Sequence, residues 1–276
     1  MAGDIRGTGC SLTSPHLLFF APTNIRTFEP GAAGAAMRTI AFVTQKGGSG
    51  KTTLAACVAV AAAGSGEKVI ALDFDLQGSL TRWGQRRAAN SPCKIAIEQF
   101  ETARLGRLGA ILHRLDDAGF TLAIFDTPGV DSEAAQVVAG AADLCLLPAR
   151  PTVFDIEAVA DTFRAAYFGN RGAAFILNQC PPTPRSARAT DAAQKLAQLG
   201  VLAEPMIAAR IDYQDAIAAG LGVTEYAGGG RAADEIKSLW SWIETQLMSP
   251  EHEILAQRSE AGRIRKRLAA IAQYFR

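Results

Sequence analysis

The amino-acid sequence predicts an α/β fold with a mostly parallel central sheet that is covered by helices on both faces. Apolar runs of five or six residues alternate along the chain with longer amphipathic stretches. Strands that are apolar on both faces and are connected through helices are typical of parallel sheets. With 276 residues, of which 49% are hydrophobic, the chain is long enough to bury a complete core.

The elements follow one another from the first strand onward. The strand-like runs lie at 39–44, 69–74, 121–126, 143–148 and 173–178, with a weaker run at 94–98. The helical patterns lie at 52–64, 102–117, 132–140, 155–167, 186–199, 212–219 and 231–247. In open parallel sheets, ligands bind beyond the carboxyl ends of the strands. We therefore expect the chemically active residues to come just after each strand.

The two ends of the chain differ from the region between them. Residues 1–36 are rich in Gly, Pro, Ser and Thr without periodicity, which predicts a disordered extension upstream of a chain that starts at Met37. Its apolar run at 17–20 is far too short to span a bilayer. We expect residues 37–248 to form the folded domain.

Residues 249–276 predict a basic amphipathic C-terminal helix. The segment carries six basic and three acidic residues. Its apolar residues recur at three- and four-residue steps: Ile254, Ala261, Ile264, Leu268, Ile271 and Phe275. The pattern fits a helix docked on the domain, a helix that binds a partner or a second copy, or a helix that contacts a membrane or DNA.

Charge and cysteine content limit the possible functions. The net charge of +1 predicts no overall attraction to nucleic acid, so DNA binding would require a local basic patch. The five cysteines are scattered and form no C-x-x-C pair. This spacing argues against a zinc site or a disulfide framework, and it favours a cytoplasmic protein.

A glycine-rich stretch at 45–53 joins the first strand-like run to the first helical pattern. Glycines let several backbone N–H groups point into one concavity, and a helix N-terminus adds its free donors and positive dipole end. Lys51 can reach phosphate oxygens there, and the Thr52 hydroxyl can ligate Mg²⁺. The predicted nucleotide-binding residues of this loop are Gly47, Gly48, Ser49, Gly50, Lys51, Thr52 and Thr53. The alternative is a glycine-rich turn without a ligand.

The loop departs from the general pattern G-x-x-x-x-G-K-[ST], because Gln45 replaces the first glycine and Lys46 stands beside it. The form K-G-G-x-G-K-[ST] resembles the deviant Walker A motif of the ParA/MinD family of ATPases. That resemblance implies a P-loop NTPase fold, with ATP and Mg²⁺ as ligands. It also implies that Lys46 crosses a dimer interface to act catalytically, with Lys51, on the other subunit's nucleotide. The alternative is a solvated lysine.

Two carboxylates, Asp73 and Asp75, follow the second strand-like run. Carboxylates at i and i+2 lie on one side of an extended segment and can hold or orient water near a metal–phosphate centre. The segment resembles the family's D-x-D-P-Q-G run, with Leu76 in place of proline. The resemblance implies that Asp75 positions the attacking water and that Asp73 lies in the outer shell of the metal. The alternative is a strand end capped by acidic turn residues.

Two later strand ends complete the candidate site. Four apolar residues lead to Asp126, and such a carboxylate binds Mg²⁺ directly or through water; the following D-T-P-G resembles the family's γ-phosphate-sensing segment. Asn178 ends another strand, and its amide suits the N6/N7 edge of adenine. The resemblance carries adenine binding to Asn178, whereas the alternative is an amide that bonds its own turn.

The resemblance covers about residues 37–247. It implies an ATPase that dimerises on Mg²⁺-ATP, binds DNA non-specifically on the nucleoid, and is stimulated by a ParB-like partner during plasmid or chromosome partitioning. The candidate DNA-contacting residues are Arg185, Arg188, Lys195, Arg210, Arg231 and Lys237. The alternatives are a MinD-like ATPase that associates with a membrane and a ParA-like ATPase that positions a protein cargo. An electron carrier of the nitrogenase-reductase type would need cysteines within 127–138, where there are none.

Overall fold

The computed structural model describes residues 36–248, apart from 92, 94, 131, 167–171, 184 and 185. The predictions of a disordered N-terminal extension and of a C-terminal helix concern residues outside this part, and the proposed domain boundaries stay predictions. Within the described residues, seven strands form one sheet in the order β3-β2-β4-β1-β5-β6-β7.

Every neighbouring pair of strands in the sheet runs parallel. The strands are β1 Arg38–Phe42, β2 Val69–Asp73, β3 Ala96–Gln99, β4 Leu122–Asp126, β5 Leu144–Ala149, β6 Gly172–Leu177 and β7 Val201–Leu202. The predicted parallel sheet is thus confirmed, and the six predicted strands lie within two residues of their expected bounds.

Helices account for most of the remaining described chain. They are α1 Lys51–Gly64, α2 Ser79–Asn90, α3 Leu108–Asp117, α4 Glu133–Ala141, α5 Val153–Ala166, α6 Ala187–Leu199, α7 Ile211–Ala218, α8 Val223–Tyr226 and α9 Arg231–Met248. None of these helices is long and apolar enough to cross a membrane.

Three elements were not predicted, and one prediction was partly wrong. Helix α2 buries only Leu80, Trp83 and Arg87, so its apolar stripe is too thin to detect. Strand β7 has two residues and α8 has four, which is too short for a periodic signal. The predicted helix at 102–117 begins as the 3₁₀ turn Thr102–Arg107, in which only Leu105 is buried.

Helices cover both faces of the sheet, as predicted. Alternate residues along β1 and the following Val43 belong to separate apolar clusters. Ile40 and Phe42 pack with α1 and α9, whereas Ala41 and Val43 pack with α4 and α6. Helix α1 is buried along most of its length because its many alanines allow close approach to the sheet and to α9. The central strands β1 and β4 are therefore enclosed, and the loops that follow them begin at buried strand ends.

Candidate functional site

The carboxyl ends of β1, β2, β4 and β6 bring the predicted site residues to one edge of the sheet. The register places Asp126 of β4 between Phe42 of β1 and Asp73 of β2. The glycine-rich loop leaves β1 at this edge and ends at α1, while Asn178 follows β6. Residues distant in sequence therefore meet here because parallel strands end together.

The glycine-rich loop ends at Gly50, which is the residue before α1 and has a left-handed φ of 95°. A side chain at this position would overlap the Asn178 amide, so the close approach as well as the φ requires glycine. The first turn of α1 contains no acidic residue, and no side chain caps it. Its positive N-terminal end is therefore open to an anion.

Lys51 lies in the concavity of this loop with its side chain largely buried. Its Nζ makes two long hydrogen bonds of 3.4 Å, to the carbonyl oxygens of Thr44 and Lys46. Burial lowers the pKa of Lys51, and the charges of Asp126 and Asp75 oppose that shift. The ammonium is thus held beside two carboxylates by weak backbone contacts, a state in which a phosphate would compete well for it.

Asp126 is the most unusual group of the site, since only 1% of its surface is exposed and neither carboxylate oxygen makes a hydrogen bond of good geometry within the described residues. Burial raises the pKa of Asp126 to about 7, the Thr52 side chain and the Lys51 charge lower it in part, and Asp73 raises it further. A buried carboxylate without a partner is costly unless a cation or an ordered water completes it.

The donor set around Asp126 fits Mg²⁺ bound together with a phosphate. The described residues contain no group of three or more His, Cys, Asp or Glu side chains that could hold a metal alone. Mg²⁺ is commonly held by one or two carboxylates, with substrate phosphates and water completing its shell. Asp126 with the nearby Thr52 hydroxyl matches that mode.

Asp73 and Asp75 have different surroundings although they are two residues apart. Asp73 is fully buried, and its carboxylate accepts hydrogen bonds from the Thr81 N–H at 2.9 Å, the Thr81 hydroxyl at 3.1 Å and the Asp75 N–H at 3.1 Å. Asp75 is half-buried and accepts from the Gln77 N–H at 2.9 Å. Asp73 thus anchors α2 and the 74–78 loop, and its assignment as a metal ligand stays a prediction.

The segment after Asp126 packs directly on the glycine-rich loop. The Thr127 hydroxyl donates to the Phe42 carbonyl oxygen at 2.8 Å, and it is buried. A Cβ at Gly129 would lie 3.0 Å from the Cα of Gly47 and 3.3 Å from Lys51 Nζ. A displacement of the glycine-rich loop would therefore displace the segment after Asp126 as well. The predicted phosphate-sensing role of D-T-P-G requires such a coupling.

The two residues after β6 hold the glycine-rich loop through their side chains. Asn178 Nδ2 donates to the Ser49 carbonyl oxygen at 2.7 Å, and Gln179 Nε2 donates to the Gly48 carbonyl oxygen at 2.9 Å. Asn178 is buried, so one of its two amide hydrogens is committed to the loop. Its predicted contact with adenine is untested, but its loop contact is a role that sequence analysis missed.

Lys46 turns back onto its own chain. Its Nζ lies 3.0 Å from Asp155 Oδ2 and 5.8 Å from the centre of the exposed Phe154 ring. Asp155 is buried and also pairs with Arg150 and Thr152. Burial opposes ionisation of Asp155, but hydrogen bonds from Arg150, Thr152 and Lys46 hold its pKa below the ordinary value. No local pattern marks Asp155, which lies in the first turn of α5.

A cavity of about 620 Å³ opens beside the glycine-rich loop. Gly50 and Thr53 form one side, Asn178 and Gln179 a second, and the 208–211 loop with α7 a third. Arg210, one of the predicted DNA contacts, lines this cavity and pairs with Glu235 at 2.6 Å.

Of the other predicted DNA contacts, Arg188 and Arg231 are exposed, whereas two lysines have partners within the chain. Lys195 pairs with Asp191 at 2.9 Å, and Lys237 donates to the Gly228 carbonyl oxygen at 2.8 Å. Arg185 lies outside the described residues.

Residues 37–219 match the family model described as VirC1 protein. The chain belongs to the VirC1 family. It is 30% identical to protein VirC1 of Rhizobium radiobacter over 128 residues, which span 46% of this chain and 55% of that protein. It is also 30% identical over 222 residues to the maintenance of carboxysome distribution protein A of Gloeobacter kilaueensis, with 76% of this chain and 99% of that protein covered.

The fold is also similar to that of solved structures. The septum site-determining protein MinD from Pyrococcus horikoshii, determined with Mg-ADP, superposes with a TM-score of 0.60 at 17% identity, covering 79% of this chain and 99% of that protein. The predicted P-loop NTPase fold of the ParA/MinD type is confirmed. The resemblance to the ParA/MinD group that the motifs predicted agrees with this likeness in fold.

Proposed function

We propose that this VirC1-family chain is an ATPase that binds Mg²⁺-ATP in its glycine-rich loop, dimerises in that state, and uses slow hydrolysis as a switch for positioning a cargo. One observation carries the proposal. Asp126 is buried without a hydrogen bond of good geometry in the described chain, next to Thr52 and Lys51 and at the open N-terminus of α1. Such a carboxylate is costly in the free protein and is explained by a metal–phosphate ligand.

Each group has a defined part in this function. The loop N–H groups and the α1 N-terminus bind the triphosphate, and Lys51 neutralises its charge. Thr52 and Asp126 would hold Mg²⁺, which offsets the negative charge that develops on the phosphates. Asp75, the more exposed of the two carboxylates after β2, orients the attacking water. Lys46 contributes its charge to the nucleotide of the partner subunit.

The ATPase proposal is tested by measuring nucleotide binding and turnover in two variants and a control. Lys51→Ala should abolish tight binding of Mg²⁺-ATP. Asp75→Ala should retain binding and lose hydrolysis, because it removes only the group that orients water. Lys195→Ala is the control, since its ammonium pairs with Asp191 on the exposed face of α6. A hydrolysis rate unchanged in Asp75→Ala would remove Asp75 from the mechanism.

Dimerisation is tested separately by light scattering with a non-cleavable ATP analogue and Mg²⁺. The wild-type chain should shift from monomer to dimer, and Lys46→Ala should stay monomeric while still binding the analogue. A wild-type protein that remains monomeric at saturating analogue would refute the sandwich dimer and leave a nucleotide-binding protein of another kind.

Two cargoes are supported by different observations. The ParA resemblance supports DNA, with a ParB-like partner as the stimulator. The match to a carboxysome distribution protein over almost its whole length supports a protein assembly as the final cargo. The internal pairing of Lys195, Arg210 and Lys237 weakens the DNA surface predicted for the described part.

Co-sedimentation of the full chain distinguishes these possibilities. Binding to non-specific DNA only with ATP, and loss of that binding at high salt, would support DNA as cargo or track. Absence of DNA binding in every nucleotide state would favour a protein cargo. Binding to anionic vesicles instead would favour the membrane alternative, in which residues 249–276 contact the lipid.

A further inference from the structure

The cavity beside the glycine-rich loop has one wall in which three residues are contacted by the same carboxylate. The wall consists of the 208–211 loop and the start of α7, and it faces Gly50 and Asn178 across the cavity. Glu235 of α9 does not line the cavity, but it contacts the wall at three points. The sequence alone assigns no role to this residue.

The contacts of Glu235 are directional. Its Oε1 accepts from Arg210 Nε at 3.0 Å and from Arg210 Nη2 at 2.6 Å. Its Oε2 accepts from the Tyr213 hydroxyl at 3.0 Å and from the Ala208 N–H at 3.3 Å. Both oxygens are thus used, and the backbone of the loop, the Arg210 side chain and α7 are tied to one position on α9.

The charge states of Arg210, Tyr213 and Glu235 are the ones that these hydrogen bonds require. Burial and the neighbouring Glu235 raise the pKa of Tyr213, so its hydroxyl remains a donor. The hydrogen bond to Glu235 raises the pKa of Arg210, which keeps its full charge. The side chains of Arg210 and Glu235 are 19% and 14% exposed, so solvent competes little for this pair.

The cavity itself suits a flat heterocycle attached to a sugar. Leu54, Ile217 and Ala218 supply apolar surface, and Asn178 and Gln214 supply amide groups for a hydrogen-bonding edge. Gly50 and Thr53 belong to both the cavity and the loop–helix junction. One molecule could therefore place its phosphates at the loop and the rest of its atoms in the cavity.

We propose that Glu235 is a positioning residue for the nucleoside part of the bound nucleotide: it holds the Arg210–Tyr213 wall in the shape that accepts the base and ribose. This inference rests on the nucleotide binding proposed above. It adds the residue through which the site binds the nucleoside in addition to the phosphates. It also makes nucleoside affinity depend on α9, the last helix of the described chain.

The test compares two ligands in the full-length protein by isothermal titration calorimetry with Mg²⁺. ATP occupies both the loop and the cavity, whereas inorganic tripolyphosphate occupies the loop alone. Glu235→Gln keeps the side-chain volume and removes the charge-assisted acceptors. We expect ATP to bind about tenfold more weakly to this variant, as loss of one such bond network implies, and tripolyphosphate affinity to stay within about twofold of wild type.

Two further variants make the result specific. Asp234→Asn is the matched control on the same helix, since Asp234 is exposed and its carboxylate lies 4.0 Å from Lys237 Nζ. Both ligands should bind to this variant as they bind to the wild type. Tyr213→Phe removes one hydroxyl of the network and should weaken ATP binding alone, by about threefold. If Glu235→Gln does not fold, Tyr213→Phe tests the same wall with a smaller change.

The outcomes separate this inference from the proposed function. Equal loss of both ligands in Glu235→Gln, or no loss of either, would overturn the positioning role. Wild-type protein that binds neither ligand would instead refute the nucleotide site itself. Selective loss of ATP with intact tripolyphosphate binding supports both.

Discussion

At the scale of single residues, the glycine-rich loop depends on a contact that its own motif does not reveal. Gly50 has a left-handed backbone and lies against the Asn178 amide, which reaches the loop from β6. Gly47, three residues earlier, has no positive φ, and a Cβ added there would meet no atom of the described residues within 4 Å. The two glycines of one motif are therefore under different constraints in the free protein.

We predict that Gly50→Ala lowers the free energy of unfolding of the nucleotide-free protein by about 2 kcal/mol or more, because it adds backbone strain and a clash. Gly47→Ala is the control and should change it by less than about 0.5 kcal/mol. Urea unfolding followed by circular dichroism measures both. Equal effects of the two substitutions would show that the Asn178 contact does not restrict the loop.

Asp126 is a residue whose burial opposes stability in the free protein. We predict that Asp126→Asn raises the free energy of unfolding by about 1 kcal/mol at pH 8 in the presence of a chelator, because an amide is less costly to bury than a carboxylate. The same variant should lose the gain in ATP affinity that Mg²⁺ gives to the wild type. Thermal unfolding and calorimetry measure the two effects, and a less stable variant would mean that the carboxylate has a structural partner.

At the scale of elements, α2 is joined to α8 by a partly buried ion pair that sequence analysis missed together with both helices. Arg87, which is 2% exposed, donates to both oxygens of Glu225 at 2.7 and 2.8 Å, and its guanidinium lies 5.4 Å from the Trp83 ring. Ser91 and the Gly222 N–H also donate to Glu225. This network fixes α2, whose Thr81 in turn holds Asp73 at the candidate site.

The ion pair predicts a pH-dependent effect of Glu225→Gln. Burial opposes ionisation of Glu225, but Arg87 and its other donors hold its pKa below the ordinary value of 4.5. The carboxylate therefore stabilises the fold above pH 4.5, and this contribution is lost as the pH falls through the lower folded value. We expect the variant to be about 2 kcal/mol less stable than wild type at pH 7.

The difference should shrink as the pH falls below 4.5, because Glu225 is then protonated first in the unfolded chain and, at a lower pH, in the folded protein. Unfolding by urea at pH 7, 5 and 3 measures it. A difference that stays constant over this range would assign the effect to packing rather than to charge.

At the scale of the whole molecule, the residue expected to join two subunits is engaged within its own chain. Lys46 pairs with Asp155, and the neighbouring Val153 and Phe154 are 64% and 75% exposed. Leu76 is 82% exposed at the same edge of the sheet. Exposed apolar side chains beside the paired lysine favour a contact between subunits that forms only after the pair opens.

We predict that Asp155→Asn lowers the ATP-analogue concentration needed for half-maximal dimerisation, because it weakens the intramolecular pairing that Lys46 must leave. Asp161→Asn is the control, since Asp161 lies on the same helix in an exposed pair with Arg164. Light scattering across an analogue titration measures the shift. A higher concentration requirement in Asp155→Asn would instead assign Asp155 to the interface between subunits.

The sequence by itself determined the sheet, the glycine-rich loop and the carboxylates after β2 and β4. These features are local: an apolar run predicts a buried strand, and a parallel sheet places the residues after its strands at one edge. The helices with strong periodicity were predicted for the same reason. Helix α2 and strand β7 were not, because their few apolar residues give no periodic signal.

Only the tertiary structure decided which of these residues have partners. Asn178 meets Ser49 across 129 residues of sequence, Lys46 meets Asp155 across 109, and Glu235 meets Arg210 across 25. Such contacts depend on the packing of separate helices and strand ends, which no local pattern specifies. The same packing leaves Asp126 buried without a hydrogen bond of good geometry in the described chain. That carboxylate, more than any motif, points to a ligand.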